Sequence, residues 1–167
     1  MVIGGILIGV LAIMAVALCS WVYMVYLVPG VVRSVRTGLP LVALTFDDGP
    51  DINGTRKILG ILNEKGVKAT FFMVGKRVDA NQEIAREIAT RGHDIGNHSY
   101  GHSIIRSIFN SSKDEYDNCR YSILRVTGKD PNLVRAPYGL MRKSLLRKIN
   151  DSGSNVIGWN VDVRDYL

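Results

Sequence analysis

The apolar positions of this chain fall into two regimes: an unbroken run at the start, then short stretches that switch between strand-like and helix-like spacing. Residues 41–46 (LVALTF) form a compact apolar run, and residues 67–74 form a second one rich in β-branched and aromatic side chains, so both are read as strands. Between them Ile58, Leu59, Ile61 and Leu62 recur at helical spacing, with Thr55 as the candidate cap and Gly66 as the stop. The unit then repeats. Ile84, Ala85, Ile88 and Ala89 line one face of a second helix ended by Gly92, and residues 94–97 make a short strand. Ser112 with Glu115 has the spacing of a capping box and opens a third helix that stops at Gly128. A strand over 133–136, a fourth helix marked by Leu145, Leu146 and Ile149, and a fifth strand over 155–161 complete the series. Alternation of this kind predicts an α/β fold with a parallel sheet or barrel.

The initial run belongs to a different solvent. Residues 1–32 carry no charged side chain, and residues 2–28 are almost wholly apolar, longer than the ~20 residues a membrane-spanning helix needs. Residues 1–30 are therefore expected to form a transmembrane signal-anchor, residues 31–40 a linker with Gly38 and Pro40, and residues 41–167 one domain. A cleaved signal peptide is the main rival, since Ala15-Val16-Ala17 has small residues at the right spacing. The apolar run nevertheless continues past it, and no basic region precedes it. Lipid attachment at Cys19 fits less well, because Leu18 is bulky.

Two clusters carry candidate chemistry: Thr45-Phe46-Asp47-Asp48-Gly49-Pro50 and His98-Ser99-Tyr100-Gly101-His102. Histidines four residues apart share one side of a helical turn, and a carboxylate from elsewhere, Asp48, would complete a nitrogen and oxygen set for one divalent ion. Three protein ligands leave a coordination position open, the arrangement of hydrolytic zinc sites. Neighbouring strand residues point to opposite faces, so Asp47 and Asp48 can face one pocket only where the strand gives way to the Gly49-Pro50 turn; Asp47 is then the general base. Each cluster alone has an ordinary explanation, a solvated or buried histidine pair and a simple turn. Their combination points to metal-assisted hydrolysis.

These residues resemble the carbohydrate esterases of family 4, the polysaccharide deacetylases with a NodB homology domain. The resemblance covers residues 39–167 and implies an incomplete, distorted (β/α) barrel, here preceded by the transmembrane helix. Thr-Phe-Asp-Asp-Gly-Pro is similar to the family's first motif, which makes Asp47 the base and Asp48 a metal ligand. His98 and His102 match the second, as the remaining ligands. Arg135-Ala136-Pro137-Tyr138 matches the third, implying that Arg135 holds the base carboxylate and that the Tyr138 backbone N–H serves the oxyanion. Asp162-Val163-Arg164-Asp165-Tyr166 resembles the fourth, which adds Asp165 to the catalytic set and puts Tyr166 where the family usually has Trp. A fifth motif, with a histidine as general acid, is not found: His93, His98 and His102 are the only histidines, and His93 is read as structural. The domain is accordingly expected to be a C-terminal truncation or a degenerate copy. With five strands found where the family has seven, an exposed sheet edge is expected.

The resemblance implies removal of N-acetyl groups from an amino-sugar polymer such as peptidoglycan or chitin, with zinc, cobalt or another transition metal as cofactor. A catalytically lost glycan-binding protein and an acetyl xylan esterase or other amidase are the alternatives. Arg33 and Arg36 after the span would place the domain in the cytoplasm by the positive-inside rule, whereas the implied polymers lie outside. The reading adopted is a single-pass protein of the cell membrane with an extracytoplasmic domain. A net charge of +6 suits anionic wall polymers or headgroups, but acids are interspersed with the bases and no nucleic-acid motif is present, so nucleic acid is not an expected partner.

Overall fold

The computed structural model describes residues 2–23, 28–109 and 112–163. Its centre is a six-stranded, all-parallel sheet in the order β1-β6-β5-β4-β3-β2. The strands are β1 (Val31–Val32), β2 (Thr45–Phe46), β3 (Thr70–Met73), β4 (Asp94–Asn97), β5 (Leu133–Val134) and β6 (Asn155–Ile157). Helices α2 (Gly54–Glu64), α4 (Gln82–Thr90), α6 (Lys113–Thr127) and α7 (Lys143–Asp151) make the crossovers, with α3 (Gly75–Ala80) and α5 (Ile104–Phe109) as short additions. The incomplete barrel expected from alternation and resemblance is therefore present. Strand β4 matches its predicted range, β2 and β3 begin later than the apolar runs that predict them, and β5 and β6 end earlier, where the chain turns into the site loops.

The core divides in two. Leu59 and Leu62 of α2, Ile84 and Ile88 of α4, and Cys119 and Ile123 of α6 close over Phe71 and Met73 of β3 and Ile95 of β4. Leu145, Leu146 and Ile149 of α7 close over Val134 and Val156, with Val28 and Tyr116 beside them. Each large apolar side chain buried in this way contributes roughly 1.5–3 kcal/mol. Phe71 and Met73 face the helices, so the alternation of a strand sends Phe72 to the other side of the sheet, where it is fully buried.

Several local expectations are corrected. Thr55 does not cap α2; its hydroxyl accepts the Asp51 N–H at 3.0 Å, and the Asp51 carboxylate takes the Asn53 and Gly54 N–H groups at 2.9 and 2.8 Å. Ser112 sits at the N-cap of α6 without a side-chain capping bond, and Glu115 instead accepts the N–H of Gly101 at 2.9 Å. Tertiary structure has taken the glutamate that the local pattern assigned to a cap. Gly66, Gly92 and Gly128 do end their helices, each at positive φ.

The expected linker is not one throughout. Val31 and Val32 pair with Val156 and Ile157, and the Gly158 N–H donates to the Val32 carbonyl at 2.8 Å, so β1 adds a sixth strand beside β6 to a sheet that stays open at β1 and β2. Two residues at the end of an apolar run give no alternation from which to read a strand.

The first helix, α1 (Val2–Val22), fills much of the initial run, with its described large apolar side chains exposed. Among the described residues no helix is long and apolar enough to cross a membrane, so the transmembrane segment expected over residues 1–30 is not supported.

Candidate metal centre

Each site loop leaves the carboxyl end of a strand, the edge at which parallel sheets assemble their sites. Asp47 and Asp48 follow β2, His98 follows β4, Arg135 follows β5, and Gly158 follows β6. Asp48 takes a left-handed conformation (φ 66°), which breaks strand alternation and lets neighbouring carboxylates serve one site. The histidine pair is not on a helical turn. Residues 98–102 form a loop in which Ser99 (φ 62°) and His102 (φ 50°) are also left-handed, and that folding brings the rings to 5.0 Å between centroids.

The expected donors converge. Oδ1 of Asp48 lies 2.9 Å from Nε2 of His102 and 3.4 Å from Nε2 of His98, and one donor atom from each of the three residues lies within 4.8 Å of the others. His98 is buried, and its Nδ1 is 2.8 Å from the Arg135 carbonyl oxygen. A carbonyl only accepts, so Nδ1 carries a proton and Nε2 is the ring atom turned toward Asp48. The His102 and His98 imidazoles hold the Asp48 carboxyl well below the usual carboxylate range, against a smaller opposing effect of burial. Donors of a tetrahedral zinc stand about 3.3 Å apart, given bonds near 2.0–2.1 Å. Two neutral-capable imidazoles, one with a fixed tautomer, and a carboxylate kept ionised therefore fit a divalent transition metal, and small rotamer changes suffice to seat it.

The neighbouring carboxylate is held separately. The Arg135 guanidinium donates to Asp47 Oδ1 at 2.8 Å, to Thr45 Oγ1 at 2.8 Å, and to the Gly158 and Ile157 carbonyls at 3.0 and 3.4 Å. It is itself buried, 4.1 Å above the Phe72 ring and 5.8 Å from that of Trp159. Space for Phe72 depends on Gly96, where an added Cβ would stand 2.3 Å from Cδ1 of the ring. Asp47, half-buried and oriented, is thus presented beside the three donors. Tyr138, at φ 58° in the Pro137–Gly139 turn, lays its ring 4.8 Å from that of His102. Asp165 lies outside the described residues.

Sequence reasoning missed Thr45 as a partner of the arginine, Phe72 as its floor, and Arg77 of α3, which donates to the Asp48 carbonyl. Thr45 and Phe72 sit inside runs already read as strands, where alternation would have put both on the site face. Arg77 carried no local signal. His93 is structural, as expected: it is buried, its Nδ1 accepts the Ala69 N–H at 3.3 Å, and its ring meets Phe71 edge-on.

The family profile described as polysaccharide deacetylase matches residues 34–157. A peptidoglycan-N-acetylglucosamine deacetylase of Bacillus cereus is 38% identical over 129 residues, covering 75% of this chain and 46% of the relative. The peptidoglycan-N-acetylmuramic acid deacetylase PdaA of Bacillus subtilis is 31% identical, over 74% of this chain and 48% of its own. This chain therefore spans about half the length of these relatives. Among solved structures, the Bc1960 peptidoglycan N-acetylglucosamine deacetylase superposes with a TM-score of 0.78 at 33% identity, over 82% of this chain and 64% of that one. A family 4 pseudoenzyme from Bacillus anthracis gives 0.75 at 27%, over 84% and 50%. Fold, motif order and profile agree, and the chain belongs to the polysaccharide deacetylase family.

Proposed function

We propose that this chain carries the metal-binding and base-bearing part of a peptidoglycan deacetylase, an amidase that releases acetate from N-acetylated amino sugars outside the cytoplasmic membrane. The observation that supports this most is the pairing of two separate devices: three convergent donors, Asp48, His98 and His102, and an adjacent carboxylate, Asp47, held by a buried arginine. The relatives' names supply the substrate class. A divalent ion, zinc in this reading, would polarise the acetamide carbonyl and acidify a water when bound by those donors.

The remaining work falls to the chain. Asp47 accepts a proton from the attacking water, and Arg135 keeps the carboxylate aimed. The Tyr138 N–H is assigned to the developing oxyanion, a contact worth about 10²- to 10³-fold in rate in well-studied hydrolases. His98 and His102 serve the metal in this reading, and His93 is buried against Phe71, where its role is structural. In this reading the proton passes on to the departing nitrogen, which leaves as the free amine beside acetate.

The test is acetate release from peptidoglycan, chitooligosaccharide and acetylated xylan by the full chain loaded with Zn²⁺ or Co²⁺. Release from peptidoglycan that chelation abolishes and metal restores is expected. Release from xylan alone would move the reading to an esterase. A second reading, binding without turnover, draws on the pseudoenzyme among the structural neighbours; retention on peptidoglycan with no acetate would establish it.

A further inference from the structure

The loop that carries both histidines cannot hold its shape by local preference, because two of its non-glycine residues are left-handed. It is held from outside by α3 and α6. The Gly75 and Lys76 N–H groups donate to the Ser99 and Tyr100 carbonyls, both at 3.0 Å, and Glu115 of α6 takes the Gly101 N–H. The Tyr100 side chain, midway between the ligands, lies against the backbone of α3: a Cβ on Gly75 would stand 2.5 Å from its Cδ2. Its hydroxyl donates to Asp79 Oδ2 at 3.2 Å. That carboxylate is anchored in turn by Ser122 Oγ at 3.1 Å and the Arg125 guanidinium at 2.8 Å, both on α6. The same short helix grips the other ligand loop, through Val74 N–H on the Gly49 carbonyl at 2.8 Å and Arg77 on the Asp48 carbonyl.

On the metal reading given above, we propose that Asp79 is a positioning residue for the metal site, acting through Tyr100 to set the His98–His102 spacing against Asp48. A carboxylate joined to three donors from two elements ties the ligand loop to α6 at one point. Among the described residues the Tyr100 hydroxyl makes no other side-chain hydrogen bond. Partners one step behind the ligands ordinarily govern metal affinity, because they fix ligand direction before the ion arrives.

The experiment is Co²⁺ titration of the full chain in mild detergent, followed by the visible absorption of the bound ion and by Zn²⁺ competition. Tyr100→Phe, which removes one oxygen and keeps the ring, should weaken Co²⁺ binding about tenfold, in the range found for groups behind metal ligands. Asp79→Ala should do the same, the double variant no more than either alone, and Asp79→Asn should restore most of the affinity, since its amide oxygen still accepts from the hydroxyl. Arg120→Ala, which breaks an ion pair to Asp130 elsewhere on α6, should leave affinity unchanged. Tyr100→Phe and Asp79→Ala with unchanged Kd and spectrum but lowered Tm would overturn the proposal and leave the metal reading intact. Failure of the unsubstituted chain to take up Co²⁺ would overturn both.

Discussion

The two halves of the sheet are built differently. Strands β3 and β4 pair over four residues, with β2 beside β3 over two, under a roof of three helices, and this half supplies all three candidate metal donors from the loops after β2 and β4. The β4–β5, β5–β6 and β1–β6 pairings each extend over two residue pairs, beneath α7, and this half supplies Arg135. Among the described residues the halves are joined at Arg135, through its ion pair with Asp47, its hydrogen bond to Thr45 and its carbonyl beside His98. The candidate donors and the guanidinium that orients the base are different side chains on different strand ends, so metal retention and base orientation are expected to separate on mutation.

The largest effects test that separation directly. Asp48→Ala should abolish metal retention and, with it, turnover, measured by metal analysis after desalting and by acetate release. Asp47→Ala should retain metal while turnover falls by about 10²- to 10⁴-fold, the usual worth of a positioned base. Arg135→Met should behave like Asp47→Ala. The backbone carbonyl that fixes the His98 tautomer remains, while a buried cation and its hydrogen bonds are lost, costing about 3 kcal/mol of stability. Equal metal loss in all three variants would show that the halves are one unit.

How much of this was legible in the sequence follows the same division. Ile84, Ala85, Ile88 and Ala89, with Gly92 after them, repeat at a period that local physics reads directly, and all four residues are buried as expected. The donor set was legible because its chemistry is specific, though a helical turn was the wrong vehicle for the histidines. Only tertiary contacts stabilise left-handed Ser99 and His102, and no residue type announces them. Glu115 shows the limit best: its capping-box spacing is real, yet the Gly101 N–H outcompetes the cap. The strand Val31–Val32 was unreadable for an opposite reason, being defined wholly by its partner.

Core truncations sharpen the comparison at the next level. Ile123→Ala under the metal half and Leu146→Ala under the other should each cost about 3 kcal/mol, since both are essentially inaccessible and truncation leaves a cavity. Their distributions should differ. Hydrogen exchange is expected to show Leu146→Ala releasing β5, β6, β1 and α7 first, with β3 and β4 still protected, whereas Ile123→Ala lowers protection throughout. Gly158→Ala should cost less, about 1 kcal/mol, because its Cβ would stand 2.9 Å from Cγ of Arg33 and 3.1 Å from Cγ1 of Val31, contacts that yield by shifting β1. Faster exchange confined to β1 and the β6 edge is the expected result.

The smallest effect is a pH dependence, and it falls on the better-built half. Burial, aided by the nearby charges of Lys68, Arg91 and Lys129, pushes the His93 imidazole below its ordinary value, so the folded state binds its proton less readily than the unfolded chain does. The neutral ring, accepting the Ala69 N–H, thus contributes stability that is fully present above about pH 6.5 and is lost as pH falls from there through the folded value. Asp48 behaves oppositely in position but not in sign. Its carboxyl is depressed, so its contribution in metal-free protein is present above about pH 3.9 and is lost only below that. Metal-free chain should therefore lose stability in two separate steps on acidification. In His93→Gln, whose amide oxygen can still accept the Ala69 N–H, the Tm should be flat across the upper window and unchanged in the lower one. A Tm that falls equally between pH 6.5 and 5 in both proteins would remove His93 as the source of the acid sensitivity, and with it the floor as the weakest point of this half.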